Sequence, residues 1–212
     1  MDLELDHVFI LVEPEAKVAD HLVSLGLTEG FSRTHQGQGT ANRRFEFSNG
    51  MLEFLWVRDV NEANHGPAKH LLFPERHDNP QASPFGVILT KKNNTDQGIP
   101  FPGIPYQPDY FDPPMAFHIG ENASKITEPL CIYVPFMDAV KRNSEEGLFK
   151  TLTQVRIHTL ETAFSNTLNT THQADRLSIQ HGTEHLLELT LDEHRLAMTK
   201  DFRPHIPLLL HW

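Results

Sequence analysis

Four polar side chains lie inside stretches that otherwise read as apolar strands: His7, Glu53, Gln154 and Glu188. Strand alternation in Met51 to Val57 puts Glu53 on one face with Leu55 and Val57, and Leu52, Phe54 and Trp56 on the other. Both faces are apolar, so this strand is expected to be covered on both sides. An ionised carboxylate there is costly unless it is paired, protonated or bound to a metal. Glu188 stands among Leu186, Leu187, Leu189 and Leu191, and His7 is embedded beside Val8, Phe9 and Ile10. Together the four offer an imidazole nitrogen, two carboxylates and an amide oxygen. Such a set suits a divalent cation of octahedral preference (Mn²⁺, Fe²⁺, Co²⁺ or Ni²⁺, with Zn²⁺ also accommodated), with positions left for water or substrate. The plainer alternative stays open: Arg43, Arg44 or Arg156 neutralises the glutamates, and His7 is a core histidine bonded to backbone.

A second group surrounds a glycine loop, His35-Gln36-Gly37-Gln38-Gly39-Thr40. In the strand that follows, Asn42, Arg44 and Glu46 share a face, opposite Arg43, Phe45 and Phe47. The glycines could bring a backbone amide to an anionic ligand, with an arginine fork completing its recognition. Equally, they could only close a tight loop while the arginines pair with local acids. The loop is not a nucleotide motif, lacking Lys-Ser/Thr and leading into a strand. No H-E-x-x-H or G-x-S-x-G occurs, and Cys131, in an apolar run, reads as packed rather than nucleophilic.

The elements that must hold these residues begin with a strand, Leu3 to Val12, with Val8, Ile10 and Val12 on one face and His7, Phe9 and Leu11 on the other. A short helix follows from Pro14, through Val18, Leu22 and Leu25, to Gly26. Strands are then expected at Thr28 to Thr34, Asn42 to Ser48 and Met51 to Arg58, the last two joined by a Ser48-Asn49-Gly50 turn. Beyond a short helical stretch at Pro67 to Phe73, strands are expected at Phe85 to Thr90, Met115 to Ile119 and Leu130 to Pro135. A loop at 93–114 carries six prolines that exclude helix, with interleaved aromatics that should pack it onto the body. Lys141 to Gly147 is the best internal boundary. The last part echoes the first: Leu152-Thr153-Gln154-Val155 lines up with Leu5-Asp6-His7-Val8, and His185 to Leu189 with Gly50 to Phe54. A helix at Glu161 to Leu168, strands at Arg176 to Gln180 and His185 to Asp192, and a tail strand from Ile206 complete a second, shorter copy.

The chain has 212 residues, a net charge of −10 and one cysteine. The acidic balance argues against nucleic-acid binding, and no apolar run approaches the length of a membrane helix. A lone cysteine and an acidic start without a signal peptide's basic region point to the cytoplasm.

Leu5-Asp6-His7-Val8, Leu25-Gly26-Leu27, Gly37-Gln38-Gly39-Thr40-Ala41-Asn42-Arg43 and Met51-Leu52-Glu53-Phe54-Leu55 resemble the glyoxalase-like branch of the vicinal oxygen chelate superfamily. The likeness is strong over residues 3–58 and looser through Pro84 to Val87 and Glu128 to Leu130. It implies an α+β fold of paired βαβββ modules forming a curved mixed-sheet cup, here with an extra Pro-rich middle segment. The division is then 1–60 as first module, 61–147 as a middle segment with three strands, and 148–212 as second module. Residues 84–136 could instead be a decayed second module, making the last part a partial third. The implied metal ligands are His7 and Glu53, then Gln154 and Glu188 by the internal echo. The implied activity is a metal-dependent lyase or isomerase chelating a small oxygen-rich substrate, with Glu53 or Glu188 as general base. Asn42, Arg44 and Arg156 would bind the substrate. The alternative is a metal-free protein that sequesters a small molecule, as resistance proteins of the superfamily do. A homodimer is the implied assembly.

Overall fold

The structure, a computed structural model, describes residues 2–93, 98–138 and 147–212. The first strand, β1 (Leu3–Leu11), is followed by a turn at Pro14–Ala16 and a six-residue helix, α1 (Ala19–Ser24). Gly26, at φ +95°, takes the left-handed conformation that ends this helix. Then come β2 (Arg33–His35), β3 (Thr40–Phe47) and β4 (Gly50–Val57). Two short helices, α2 (Val60–His65) and α3 (Phe73–Asp78), flank a turn at Lys69–Leu71. The Asp59 carboxylate caps α2 by accepting from the Glu62 amide at 2.9 Å. Next are β5 (Phe85–Lys91), β6 (Gly103–Tyr106), β7 (Phe117–Gly120) and β8 (Leu130–Asp138). The last part holds β9 (Leu152–Thr159), α4 (Asn166–Thr171), β10 (Leu177–His181), β11 (Leu186–Leu191), β12 (Thr199–Asp201) and β13 (Leu208–His211). The helix expected at Glu161 to Leu168 forms later, where Ser165 caps it by accepting from the Leu168 amide at 3.1 Å.

Eight strands make one mixed, strongly curled half-barrel sheet in the order β2-β3-β4-β1-β5-β8-β7-β6. Its two halves repeat a pairing pattern: β1 runs parallel to β4, β5 runs parallel to β8, and β1 joins β5 antiparallel. The partner of the first sixty residues is therefore the stretch 85–138, not the C-terminal part that the sequence echo suggested. The described residues of 61–147 carry four strands, where three were expected. The addition, β6, contains Pro105, which is tolerated because β6 is the sheet's edge strand and its missing N–H breaks no central ladder. Most of the expected boundary at Lys141 to Gly147 lies outside the described residues.

The C-terminal part builds its own five-stranded sheet, in the order β10-β9-β11-β13-β12. Its inner face (Val155, Ile157, Leu187, Leu189, Leu208, Leu210) shares one core with Val8, Ile10, Leu52, Phe54, Val87, Leu89 and Tyr133 from one face of the larger sheet. The opposite face of the larger sheet packs Phe9, Leu11, Leu55, Ile88, Ile132 and Val134 against Leu71 and Phe73. β4 is thus covered on both sides, as its two apolar faces require. Arg76 on α3 is 1% exposed and donates to the carbonyls of Ala123 (3.0 Å), Ile126 (3.1 Å) and Glu128 (2.8 Å), which fixes the approach to β8. Among the described residues, no helix is long and apolar enough to cross a membrane.

Candidate functional site

The face of the half-barrel turned away from the second sheet encloses a cavity of about 290 Å³. β1 contributes Asp6, His7 and Phe9, β3 contributes Asn42, Arg44 and Glu46, and β4 contributes Met51, Glu53 and Leu55. Strand alternation places His7, Glu53, Asn42 and Arg44 there as the sequence predicts. Asp6 breaks the rule. The β1–β5 register shifts between Leu5 and His7, so Asp6 and His7 both reach the cavity from consecutive positions.

At the centre is Glu53, 5% exposed. Its carboxylate accepts a short hydrogen bond from the Asn42 amide and lies 3.5 Å from His7 Nε2 and 3.9 Å from His35 Nε2. The Asn42 oxygen accepts from the Arg33 backbone amide at 2.7 Å, which fixes which end of the amide faces Glu53. His7 Nδ1 is 2.5 Å from the Asp6 carboxylate, and His35 Nδ1 is 3.0 Å from the Thr40 hydroxyl. Burial alone would push the Glu53 pKa up. The hydrogen bond and charge of His7, the charge of His35 and the Asn42 amide outweigh it and hold the carboxyl at about 2. Burial likewise opposes a charge on His7, but Asp6 and Glu53 flank the ring and raise its pKa above 6.5. At His35 burial outweighs the pull of Glu53, and the charges of Arg33, His7 and Arg44 add to it, so its pKa is lowered. Glu53 and His7 thus favour each other's charged forms, while burial works against a charge on the adjacent His35.

The other half of the cavity differs. β5 and β8 face it with Ile88, Ile132 and Val134, and Phe73, Tyr106 and Phe117 complete the wall. Phe117 packs with Phe111 (ring centroids 5.1 Å apart), which in turn lies 5.3 Å from Phe136. Among the described residues, none that lines this side is a His, Cys, Asp or Glu.

The structure therefore divides the expected metal ligands. His7 and Glu53 meet, whereas Gln154 and Glu188 sit on β9 and β11, on the open face of the second sheet. There Glu188 bonds to His158 Nε2 at 2.6 Å and to Arg156 Nη1 at 3.1 Å, with His211 Nε2 at 3.7 Å. Leucines on both sides of Glu188 in sequence suggested burial, but the smaller sheet is covered on one face only, and Glu188 points to the uncovered one. Arg156 is thereby placed as an ion-pair partner of Glu188, outside the cavity that holds Asn42 and Arg44. Among the described residues, no group of three or more His, Cys, Asp or Glu side chains is gathered so as to hold a metal ion. The four expected donors lie on two separate sheets and do not converge.

The glycine loop resolves in favour of local structure. The Gly37 amide donates to the Glu62 carboxylate at 2.6 Å, so a protein side chain takes the place an anionic ligand would need. Gly39, at φ +72°, lies against the backbone of Asp59 and Ala63, where a β-carbon would collide. Arg44 Nε lies 3.2 Å from Glu46 and its guanidinium 5.6 Å from the Phe31 ring centroid. Arg43 binds Glu29 and Asp20 on the other face.

No known family profile and no curated protein matches the sequence. Among solved structures, a hypothetical protein from Staphylococcus aureus aligns over 100% of this chain and 99% of its own, with a TM-score of 0.54 and 12% identity. A hypothetical protein from Bacillus halodurans C-125 aligns over 69% of this chain and 100% of its own, at a TM-score of 0.41 and 13% identity. The first likeness shows a shared fold and nothing further.

Proposed function

We propose that the half-barrel cup binds a small molecule with an oxygen-bearing polar end and a flat, apolar body. The observation behind this is the division of one cavity into two unlike walls. The polar end meets Glu53, His7, Asn42 and Arg44, while the body lies against Ile88, Ile132, Val134 and Phe117. Concave sites of this size with a few convergent polar groups on an apolar lining suit small ligands. The repeated strand pairing supports reading the two halves as βαβββ-type modules of the vicinal oxygen chelate kind, the second with a Pro-rich loop in place of its helix. We place it with the metal-free sequestering members of that superfamily, since among the described residues the second half lines the cup with apolar and aromatic side chains.

Titration with the naphthyl ketone dye prodan tests this reading. A saturable blue-shifted emission is expected, weakened at least ~10-fold by Ile88→Asp, which puts a charge on the apolar wall, and unchanged by Glu188→Ala. Absence of saturable binding to the wild-type chain contradicts it.

One observation keeps a lyase or isomerase in view. Asp6 holds His7 Nδ1 and turns Nε2 toward Glu53, the kind of carboxylate support that metal-bound imidazoles receive. Elemental analysis of the purified protein separates the two. About one divalent ion per chain, lost in His7→Ala and in Glu53→Ala, favours the enzyme.

A further inference from the structure

The cup is the inside of an open half-barrel, and its free edges are β2 at one end and β6 at the other. Residues 107–116, which connect β6 to β7, span the gap between these edges. Tyr110 reaches the β2 side, with its ring 5.6 Å from His35, the Arg33 guanidinium 5.8 Å from its centroid, and its hydroxyl donating to the Gln38 side chain at 3.3 Å. Phe111, the next residue, holds the opposite side through Phe117 and Phe136. Asp109 lies against Gly37, where a β-carbon would come within 2.5 Å of its carboxylate, so the glycine at φ +80° leaves room for the segment to lie down. Tyr110 and Phe111 both line the cavity.

The way this segment is held is unlike the rest of the sheet. Its backbone hydrogen bonds are local, Phe111 to Pro108 and Met115 to Asp112, and among the described residues none joins it to another element. Ring contacts and one long hydroxyl bond keep it across the cup, and these can be broken without disturbing a strand ladder. A segment with few backbone ties is drawn from the low-stability end of a fold, where lids are found.

We infer that residues 107–111 form a latch that closes the cup over its ligand, with Tyr110 as the catch on the β2 edge. The inference rests on the small-molecule reading of the cup and adds how a ligand enters and leaves it. Opening breaks the Tyr110 contacts to His35, Arg33 and Gln38 while Phe111 stays on the apolar wall as the pivot.

The test uses two thiols on opposite faces of β8. Ile132→Cys places a thiol on the cup wall, whereas the native Cys131, next to it in the chain, is fully buried in the core between the sheets. Labelling by the aromatic disulfide dithiobis-nitrobenzoate is followed in the full chain carrying Ile132→Cys, with and without Tyr110→Ala. Cys131 is followed in the same backgrounds without Ile132→Cys. Tyr110→Ala is expected to speed labelling of the cup thiol about tenfold and leave Cys131 unchanged, and Tyr110→Phe, which keeps the ring, to stay near the wild-type rate. Equal rates at the cup thiol with and without Tyr110→Ala overturn the latch, as does a parallel rise at Cys131, which would mean general loosening. No ligand enters this measurement, so its failure leaves the prodan result standing, and the reverse also holds.

Discussion

Glu53 and Glu188 are both strand glutamates bracketed by leucine or phenylalanine, each with histidine nearby, and they differ in what covers them. Glu53 lines the cup on a strand covered on both faces and is 5% exposed, with an amide and two imidazoles and, among the described residues, no arginine in ion-pair reach of its carboxylate. The Glu188 side chain is 19% exposed on an uncovered sheet face, where Arg156 pairs with it and His158 hydrogen-bonds to it. A charge kept in a covered site without a guanidinium is costly to maintain, and it stands where a ligand can reach it. A charge on an open face that already has an arginine is an ordinary surface pair.

The largest expected difference is in stability. Glu53→Ala strands the His7 charge and the Asn42 amide in a buried site, at a loss of about 3–5 kcal/mol in urea unfolding. Glu188→Ala is expected to cost under about 1 kcal/mol, because its partners stay solvated. Equal losses would erase the distinction.

Acid sharpens it next. The Glu53 carboxyl falls from its usual 4.5 to about 2 on folding. A depressed carboxyl stabilises fully above its unfolded value, so the contribution, about 3 kcal/mol, is present above pH 4.5 and fades as pH falls toward 2. His7 is raised instead, so its share is complete below pH 6.5 and is lost as pH climbs through the raised value. Both shares come from one ion pair and are counted once. The stability gap between wild type and Glu53→Gln should therefore be widest between pH 4.5 and 6.5 and shrink on either side. A gap that is flat with pH would show that the pair is not ionised.

A smaller effect is expected from Asp6→Asn, which keeps the shape but removes the charge at His7 Nδ1. The cost is about 2 kcal/mol by chemical denaturation, with the His7 imidazole titrating lower by proton NMR. The smallest is Arg156→Met, at about 0.5 kcal/mol, vanishing in molar salt. A salt-insensitive loss there would place the Glu188 group in a covered site after all.

Much of this contrast was legible in the chain, and what was not has identifiable causes. The two faces of β1, β3 and β4 follow from alternation, which brought His7, Glu53, Asn42 and Arg44 to one side. Asp6 escaped because a shift of register, which composition does not mark, turns it toward the cup. Glu188 was misplaced because local sequence shows which residues are apolar, not how many layers cover a strand; that depends on which strands pair. The likeness between Leu152 to Val155 and Leu5 to Val8 does mark a strand, β9, but one belonging to another sheet. His35 stood in the glycine loop and Tyr110 among the aromatics expected to pack the Pro-rich loop down, but nothing in the sequence paired them, since their meeting depends on the sheet's curl bringing opposite edges together.

The central claim is that the divided cup beside Glu53, and not the polar face around Glu188, takes the ligand. Methyl NMR of isoleucine- and leucine-labelled protein, titrated with prodan, tests it most directly. Ile88 and Ile132 on the cup wall should shift together while Leu209, paired with Glu188 across β11 and β13, stays fixed. Shifts at Leu209 with Ile88 and Ile132 unmoved would contradict it.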